Sequence, residues 1–277
     1  WQANDDGSPA AALCWLALVT ALRQCSPVGT AQWQYVLPRK TKARTAEPFA
    51  AFERQINTIV SDMAVFQDHP NPGGGAIYLD DARLCQTVPD GWADLVITSP
   101  PYANNYDYAD ATRLEMCFFG DIRGWGDLQT AVRERLIRAC TQHVASYADR
   151  FVGALDSNEL APIRDRLRPI CARLAAERET HGGKKTYHAM VAFYFYDLAK
   201  VWLALRRVTR SDGRACFVIG DSAPYGVHVP VESLLGELAL AAGFRRYWFE
   251  KLRDRNTKWK NRKHRVPLQE GRLWVEG

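Results

Sequence analysis

A short apolar segment that runs into two consecutive prolines is the feature that most constrains this sequence. Residues 94–98 are followed directly by Ser99-Pro100-Pro101-Tyr102. The apolar part is typical of a buried parallel strand, and the prolines end it because neither can donate a hydrogen bond to a sheet. Open α/β sheets bind their ligands at the carboxyl ends of the strands. The sequence therefore predicts a functional site at this tetrad.

The tetrad resembles the catalytic motif of the amino-methyltransferases, Asp/Asn/Ser-Pro-Pro-Tyr/Phe. These enzymes transfer a methyl group from S-adenosylmethionine to the exocyclic amine of a base. The resemblance implies that the Ser99 side chain and the Pro100 carbonyl accept the two amine protons, while Pro101 stiffens the loop. It also implies that Tyr102 stacks on a base taken out of its helix. A Pro-Pro-Tyr turn in a polyproline-type binding segment is the alternative.

The residues before the tetrad predict a cofactor contact. A turn signal at residues 71–75 predicts a strand over residues 76–79, which ends in Asp-Asp-Ala-Arg. In the family a strand with an Asp-Ala-Arg ending stands one unit before the tetrad, and its aspartate binds the cofactor adenine. The resemblance thus implies that Asp81, Ala82 and Thr98 contact S-adenosylmethionine. An aspartate that caps the next turn is the alternative for Asp81.

The Gly-rich cofactor loop of the family, Phe-x-Gly-x-Gly, is missing from the sequence. Its nearest match, Phe-Val-Ile-Gly-Asp at residues 217–221, lacks the second glycine. The resemblance covers about residues 70–108 and 187–277. We therefore expect the cofactor half to lie upstream of Trp1 or on a second polypeptide.

The resemblance and the residue pattern together predict an α/β fold. The expected architecture is a Rossmann-like methyltransferase sheet with an antiparallel last strand and a helical insertion. Residues 1–108 would hold N-terminal helices, the first part of the sheet and the tetrad, residues 109–186 a helical insertion for target recognition, and residues 187–277 the remaining sheet with a basic loop. Helices are predicted over residues 9–24, 47–65, 128–147, 159–179, 187–208 and 231–242, and strands over 214–219, 244–251 and 271–276.

Positive charge is concentrated at the carboxyl end of the chain. From Arg245 onward there are eleven Lys or Arg against four Asp or Glu, a balance of +7, whereas the whole chain carries +5. Such a segment favours a polyanion as partner, and an aromatic ring among basic residues can stack on a base. A solvated basic loop is the alternative. The candidate nucleic-acid contacts are Tyr106, Arg255, Lys258, Trp259, Lys260, Arg262, Lys263 and His264.

Composition agrees with a globular enzyme. The chain is 47% hydrophobic and 24% charged, and no apolar run is long enough to span a membrane. Its seven cysteines show no CxxC or Cys/His spacing. This favours reduced thiols in a cytoplasmic protein and argues against a zinc site.

The first residue of the tetrad bears on the target base. Serine there favours cytosine N4, because the adenine enzymes of the family more often carry Asp or Asn. The predicted function is site-specific DNA methylation at cytosine N4 with S-adenosylmethionine as donor. Three alternatives stay open: an adenine N6 DNA methyltransferase, an RNA base methyltransferase, and a non-catalytic nucleic-acid-binding half of a split methyltransferase.

Overall fold

The chain forms two compact units. The computed structural model describes residues 6–30, 36–70, 73–255 and 266–277. One unit comprises Trp1–Ile77 with Tyr108–Val132, and the other Tyr78–Asp107 with Arg133–Gly277. The predicted insertion is therefore shared, with residues 109–132 in the first unit and 133–186 in the second. Within the described ranges, no helix has the length and apolar character that crossing a membrane requires.

The first unit is mainly helical. Its long helices are α1 (Pro9–Cys25) and α2 (Pro48–Gln67), which confirm two predicted helices. Each begins at a proline, which suits the first helical position, after a side chain that caps the free N–H groups. Ser8 Oγ accepts from Ala11 N at 3.1 Å, and the Glu47 carboxylate accepts from two backbone N–H groups of the first turn of α2. Among its described residues this unit also contains the antiparallel strands β1 (Val28–Thr30) and β2 (Val36–Thr41), the short helices α3 (Tyr108–Ala111), α4 (Arg113–Phe119) and α5 (Leu128–Ala131), and a 3-10 turn at Trp125–Asp127.

The second unit is built around one buried helix. The helices of this unit, in chain order, are α6 (Phe151–Leu155), α7 (Arg164–Thr180), α8 (Tyr187–Val208) and α9 (Val231–Ala241). Most side chains of α8 are buried, and its Trp202 stacks on Phe217 with ring centroids 4.2 Å apart. A helix that is apolar on nearly all sides belongs in a core. The bounds of α8 and α9 confirm the helices predicted over residues 187–208 and 231–242.

Four strands form the sheet of the second unit. They are β3 (Ala93–Thr98), β4 (Thr209–Gly220), β5 (Arg246–Arg255) and β6 (Leu268–Glu276), in the order β3-β4-β6-β5. β3 and β4 are parallel, whereas β6 is antiparallel to both β4 and β5. The predicted α/β fold with an antiparallel last strand is confirmed, and the sheet is consistent with a Rossmann-like methyltransferase fold.

β3 lies at the edge of this sheet and is apolar on an uncovered face. Leu95 and Ile97 are 51% and 69% exposed, whereas Val96, between them, packs against the core. Parallel strands are normally covered on both faces, and an exposed apolar edge favours pairing with another segment. The described residues therefore leave this side of the sheet open.

The strand predicted over residues 76–79 is wrong. These residues are in no regular element, and Ile77 and Leu79 are fully exposed. A strand is stable only when a neighbour satisfies its backbone groups. Among the residues that the structure describes, none pairs with this segment.

The helix predicted over residues 128–147 is also wrong. α5 ends at Ala131, and short helical turns follow. Arg133 and His143 are drawn to the buried Asp107, and Thr141 hydrogen-bonds to Asn105. These tertiary contacts override a weak helical preference. The helix predicted over residues 159–179 begins only at Arg164, as α7.

Candidate active site

The tetrad lies at the carboxyl end of β3. Ser99 is the first residue after the strand and is exposed. Its Oγ donates a hydrogen bond to the carbonyl oxygen of Val218 in β4, at 3.2 Å. A hydroxyl has one proton to donate and two lone pairs that accept. The proton of Ser99 is engaged by β4. The lone pairs on its oxygen are the groups that can accept an N–H from a ligand.

Tyr102 places a neutral aromatic ring next to Ser99. The guanidinium carbon of Arg255 lies 4.9 Å from the centroid of this ring. Burial raises the pKa of the Tyr102 phenol and the charge of Glu270 adds to the rise, while the Ser99 hydroxyl and Arg255 oppose it. Tyr102 is therefore an uncharged ring at neutral pH, as stacking on a base requires.

The loop after the tetrad is hydrogen-bonded to other segments of the second unit at two points. The Ala103 carbonyl accepts a hydrogen bond from the Ser222 hydroxyl at the end of β4. Asn105 adopts a left-handed backbone conformation with φ of 67°, which asparagine tolerates better than most residues. Its Oδ1 accepts from both the N–H and the hydroxyl of Thr141, each at 2.8 Å. These contacts limit how far the tetrad can move.

A buried ion pair provides a third anchor. Asp107 accepts from Arg133 Nη2 at 2.7 Å and lies 3.3 Å from His143 Nε2. Burial of the Asp107 carboxyl works to raise its pKa, but the hydrogen bonds from His143 and Arg133 outweigh burial and lower the pKa to about 2. Asp107 is thus a carboxylate throughout the neutral range.

A second acidic group stands at the end of β4, beside the tetrad. Asp221 is buried, and its Oδ1 accepts from Val231 N at the start of α9, at 3.2 Å. Its Oδ2 lies 3.2 Å from His228 Nε2, and that hydrogen bond raises the pKa of His228. Burial of Glu232, together with the nearby Asp221, raises the pKa of Glu232 to about 7. Glu232 therefore keeps its proton to a higher pH than an ordinary glutamate does.

A cleft of about 550 Å³ opens beside the tetrad. This volume lies within the range of small-molecule sites. The Tyr225 hydroxyl accepts from Lys185 N at 2.8 Å, which holds one aromatic wall in place. The cleft is lined among others by Asn104, Lys185, Tyr187, Asp221, Tyr225 and Arg255.

The predicted cofactor contacts are only partly brought together. Asp81 lies in a turn, where its Oδ1 accepts from Arg83 N at 2.9 Å and its Oδ2 from Arg83 Nη2 at 2.8 Å. These hydrogen bonds lower the pKa of Asp81. Ala82 is exposed in the same turn, and Thr98 is the half-buried last residue of β3. The turn-capping alternative for Asp81 is thus present in the structure, and its contact with a cofactor stays a prediction.

The residues present do not by themselves fit S-adenosylmethionine. Both Asp81 oxygens are engaged by Arg83, and the expected strand that would carry this aspartate to the sheet edge is absent from the described part of the chain. The Gly-rich loop is missing from the sequence as well. A complete cofactor site would require further residues.

The predicted nucleic-acid contacts fall into two groups. Tyr106 lies half-buried in the loop after the tetrad, and Arg255 is the last residue of β5. In the β5–β6 pair arginines face acidic residues, as Arg253 does with Glu270 at 2.7 Å. Residues 256–265 contain five Lys or Arg and no acidic residue, so the charge excess is concentrated there. The predicted contacts Lys258, Trp259, Lys260, Arg262, Lys263 and His264 lie outside the described residues.

Sequence reasoning missed the anchors of the loop. Asp107 lies 26 residues from Arg133 and 36 from His143, so no local motif joins them. The cluster around Asp221 had a usable signal, because this aspartate stands two residues after the strand predicted over residues 214–219, as Ser99 stands directly after its strand. The carboxyl ends of adjacent parallel strands meet at one sheet edge.

Comparison with known proteins gives relatives of one kind. Two proteins named Type II methyltransferase M.AvaI, from Nostoc sp. and Anabaena variabilis, are each 29% identical to this chain over 175 residues, which is 61% of this chain and 35% of theirs. Type II methyltransferase M.BsoBI from Geobacillus stearothermophilus is 26% identical over 221 residues, 75% of this chain and 43% of that protein. The chain thus spans less than half the length of these curated relatives. No protein-family model and no solved structure matches.

Proposed function

We propose that this chain carries the base-binding and catalytic part of a site-specific DNA methyltransferase. The observation that carries the proposal is the Ser-Pro-Pro-Tyr tetrad at the carboxyl end of β3, with the Ser99 proton engaged by Val218 and a cleft of about 550 Å³ beside it. The similarity to Type II methyltransferases supports the same class of reaction.

The chemistry of the tetrad suits an exocyclic amine. The nitrogen lone pair is delocalised into the base ring, so the nitrogen is a poor nucleophile until both its protons are held by acceptors. Ser99 Oγ and the Pro100 carbonyl are the proposed acceptors, and Pro101 keeps them oriented. They stabilise the positive charge that develops on nitrogen, and no general base is required before the methyl group arrives.

The target base is proposed to be cytosine, methylated at N4. Tyr102 would stack on the flipped base. Taking one base out of the helix costs roughly a few kcal/mol. Tyr106 and the basic segment of residues 256–265 would contact the DNA backbone, since that segment carries five basic residues and no acid.

S-adenosylmethionine is the proposed methyl donor, and its Gly-rich loop would come from an upstream segment or a second polypeptide. The support is the open edge of β3, where Leu95 and Ile97 are exposed. An added parallel strand would pair with the free backbone edge of β3, and the helix that connects it would cover these two side chains on the sheet face.

Methyl transfer to DNA tests the proposal directly. The chain is incubated with tritiated S-adenosylmethionine and unmethylated genomic DNA, alone and after fusion to a Gly-rich cofactor half. Mass spectrometry of the nucleosides then identifies the product. We expect N4-methylcytosine from the fused protein; N6-methyladenine would correct the target base, and label only in an RNA substrate would reject DNA.

The tetrad variant makes this assay specific. Ser99→Ala should lower methyl transfer by about 100-fold or more with DNA binding kept, the range for loss of one preorganised polar contact. Ser211→Ala, at an exposed position near the opposite end of β4, is the control and should retain full activity. Full activity of Ser99→Ala would remove Ser99 from the mechanism.

A non-catalytic binding subunit is the second candidate. It is favoured by one observation, that Arg83 already engages both carboxylate oxygens of Asp81. Isothermal titration separates the two candidates. A binding subunit takes up DNA and never S-adenosylmethionine, even when the cofactor half is supplied.

A further inference from the structure

Arg255 makes three contacts that converge on the tetrad. Its Nη1 donates a hydrogen bond to the Asp221 carbonyl at 2.8 Å, and its Nε lies 3.6 Å from Glu270 Oε2. Its guanidinium carbon lies 4.9 Å from the centroid of the Tyr102 ring. The side chain is only 18% exposed. Arg255 is therefore held inside the site rather than extended into solvent.

The sheet leaves space for this side chain at one glycine. A Cβ atom on Gly220, the last residue of β4, would lie 2.7 Å from Arg255 Nη1 and 3.1 Å from its Cδ. Any residue larger than glycine would displace the arginine. The arginine thus lies across the end of β4, between Asp221 and the ring of Tyr102.

This arrangement determines how Tyr102 can be used. A planar guanidinium stacks on aromatic rings, and it binds carbonyl and carboxylate oxygens at fixed angles. We propose that Arg255 is a positioning residue, which covers one face of Tyr102 and holds the ring so that the target base stacks on the opposite face. The inference rests on the proposed function, since it concerns how the same site receives its base.

A phosphate contact is the competing role for Arg255. The neighbouring residues 256–265 hold the concentrated positive charge, and a phosphate contact needs a guanidinium that DNA can reach. The low exposure of Arg255 and its ion pair with Glu270 favour positioning. If Arg255 positions Tyr102, its variants change the environment of the Tyr102 ring and the turnover. If Arg255 contacts a phosphate, they change the salt dependence of DNA binding.

Three variants and one control separate these roles. Arg255→Met removes the charge and the hydrogen bonds but keeps an unbranched chain, and Arg255→Lys keeps only the charge. Gly220→Ala displaces the arginine without deleting it. Arg246→Met is the control, because Arg246 is on the same strand and is 66% exposed.

The first readout is the Tyr102 ring in the 277-residue chain. Tyrosines are labelled with carbon-13, and the Tyr102 signal is assigned by its loss in Tyr102→Phe. We expect this signal to shift in Arg255→Met and in Gly220→Ala, and to stay in place in Arg246→Met. An unchanged signal in both site variants overturns the proposal.

The second readout is function. Arg255→Met should lower turnover at saturating DNA about 10-fold, roughly the loss of one cation–π contact with one hydrogen bond, and Arg255→Lys should recover part of it. The slope of log affinity against log salt should not change. Full turnover with a slope reduced by about 0.9 would make Arg255 a phosphate contact instead. Turnover is measured in the chain fused to the cofactor half, and absence of methyl transfer in that fusion without any Arg255 substitution would count against the proposed function. The Tyr102 signal of the 277-residue chain would still decide the role of Arg255.

Discussion

Asp107 accepts two hydrogen bonds from the guanidinium of Arg133, at 3.1 Å to Nε and 2.7 Å to Nη2. Both side chains are buried, and Asp107 ends the short loop that starts at the tetrad. A buried ion pair that loses one partner leaves an uncompensated charge. The pair therefore connects the stability of the second unit to the position of the loop that carries the tetrad.

Replacing this aspartate should produce a pH-dependent loss of stability. Asp107→Asn should lower the free energy of unfolding by about 3 kcal/mol at neutral pH, because the negative charge that pairs with the buried Arg133 is removed. The folded-state pKa of about 2 lies below the ordinary aspartate pKa of 3.8. The contribution is therefore fully present above about pH 4 and is lost as the pH falls towards 2, so the difference between variant and wild type should shrink there.

Urea unfolding at several pH values measures this difference. Asp156→Asn is the control, since Asp156 pairs with Arg168 at the surface and both side chains are about half exposed. Its loss should cost less than ~1 kcal/mol. A difference for Asp107→Asn that stays constant down to acid pH would contradict the assigned pKa.

Glu232 should show the opposite pH dependence. Its folded-state pKa of about 7 lies above the ordinary glutamate pKa of 4.5, so the folded protein keeps a proton that the unfolded chain releases. Stability should fall as the pH rises from 4.5 to 7. Glu232→Gln should remove this decline and should be more stable than the wild type above pH 7.

Equilibrium unfolding between pH 4.5 and pH 7 measures this effect, with Glu237→Gln on the same helix as the control. A variant that declines with the same slope as the wild type would show that Glu232 is not the group responsible.

Tyr102 should act through its ring. Tyr102→Ala should weaken the protein–DNA complex by about 1–3 kcal/mol, the usual value of one base–aromatic stack. Tyr102→Phe keeps the ring and should bind and methylate DNA nearly as the wild type does. DNA affinity and methyl transfer are measured for both variants. If the alanine variant still flips and methylates its base normally, Tyr102 is only a structural residue.

The basic segment of residues 256–265 should determine the salt dependence of DNA binding. Four of its residues, Lys258, Lys260, Arg262 and Lys263, are replaced together by Gln. Each lost phosphate contact should reduce the slope of log affinity against log salt by about 0.9 on duplex DNA. Arg168→Gln with Arg173→Gln, two exposed positions on α7, should leave the slope unchanged. An unaltered slope for the loop variant would identify the segment as a solvated loop.

Several elements of this protein could be predicted from sequence because local pattern is sufficient for them. α8 was predicted with the bounds that the structure has, since its side chains are apolar around most of the helix. The strand predicted from residue 214 begins earlier, at Thr209. β3 and its tetrad were predicted because the prolines end the strand wherever it packs. The last two strands were predicted to pair antiparallel, and they do.

Other features depended on partners distant in the chain. Residues 76–79 resemble a strand, yet a strand needs a neighbour, and the described residues provide none. Residues 128–147 resemble a helix, yet Arg133 and His143 are held by Asp107. Local periodicity does not predict such contacts, because they form only when the sheet and α8 bring separate segments together.

The candidate site likewise combines features that follow from local sequence with features that depend on distant segments. The sequence alone identified the proposed acceptors of the amine protons and the ring proposed to stack, because Ser99, Pro100 and Tyr102 are close together in one proline-containing loop. Only the tertiary structure decided that Val218 takes the Ser99 proton and that Arg255 covers Tyr102. Both partners lie more than a hundred residues further along the chain. Val218 meets the tetrad because the parallel pairing of β3 with β4 aligns their carboxyl ends, and Arg255 reaches it because β6, antiparallel to both β4 and β5, brings the ends of those two strands to the same edge of the sheet.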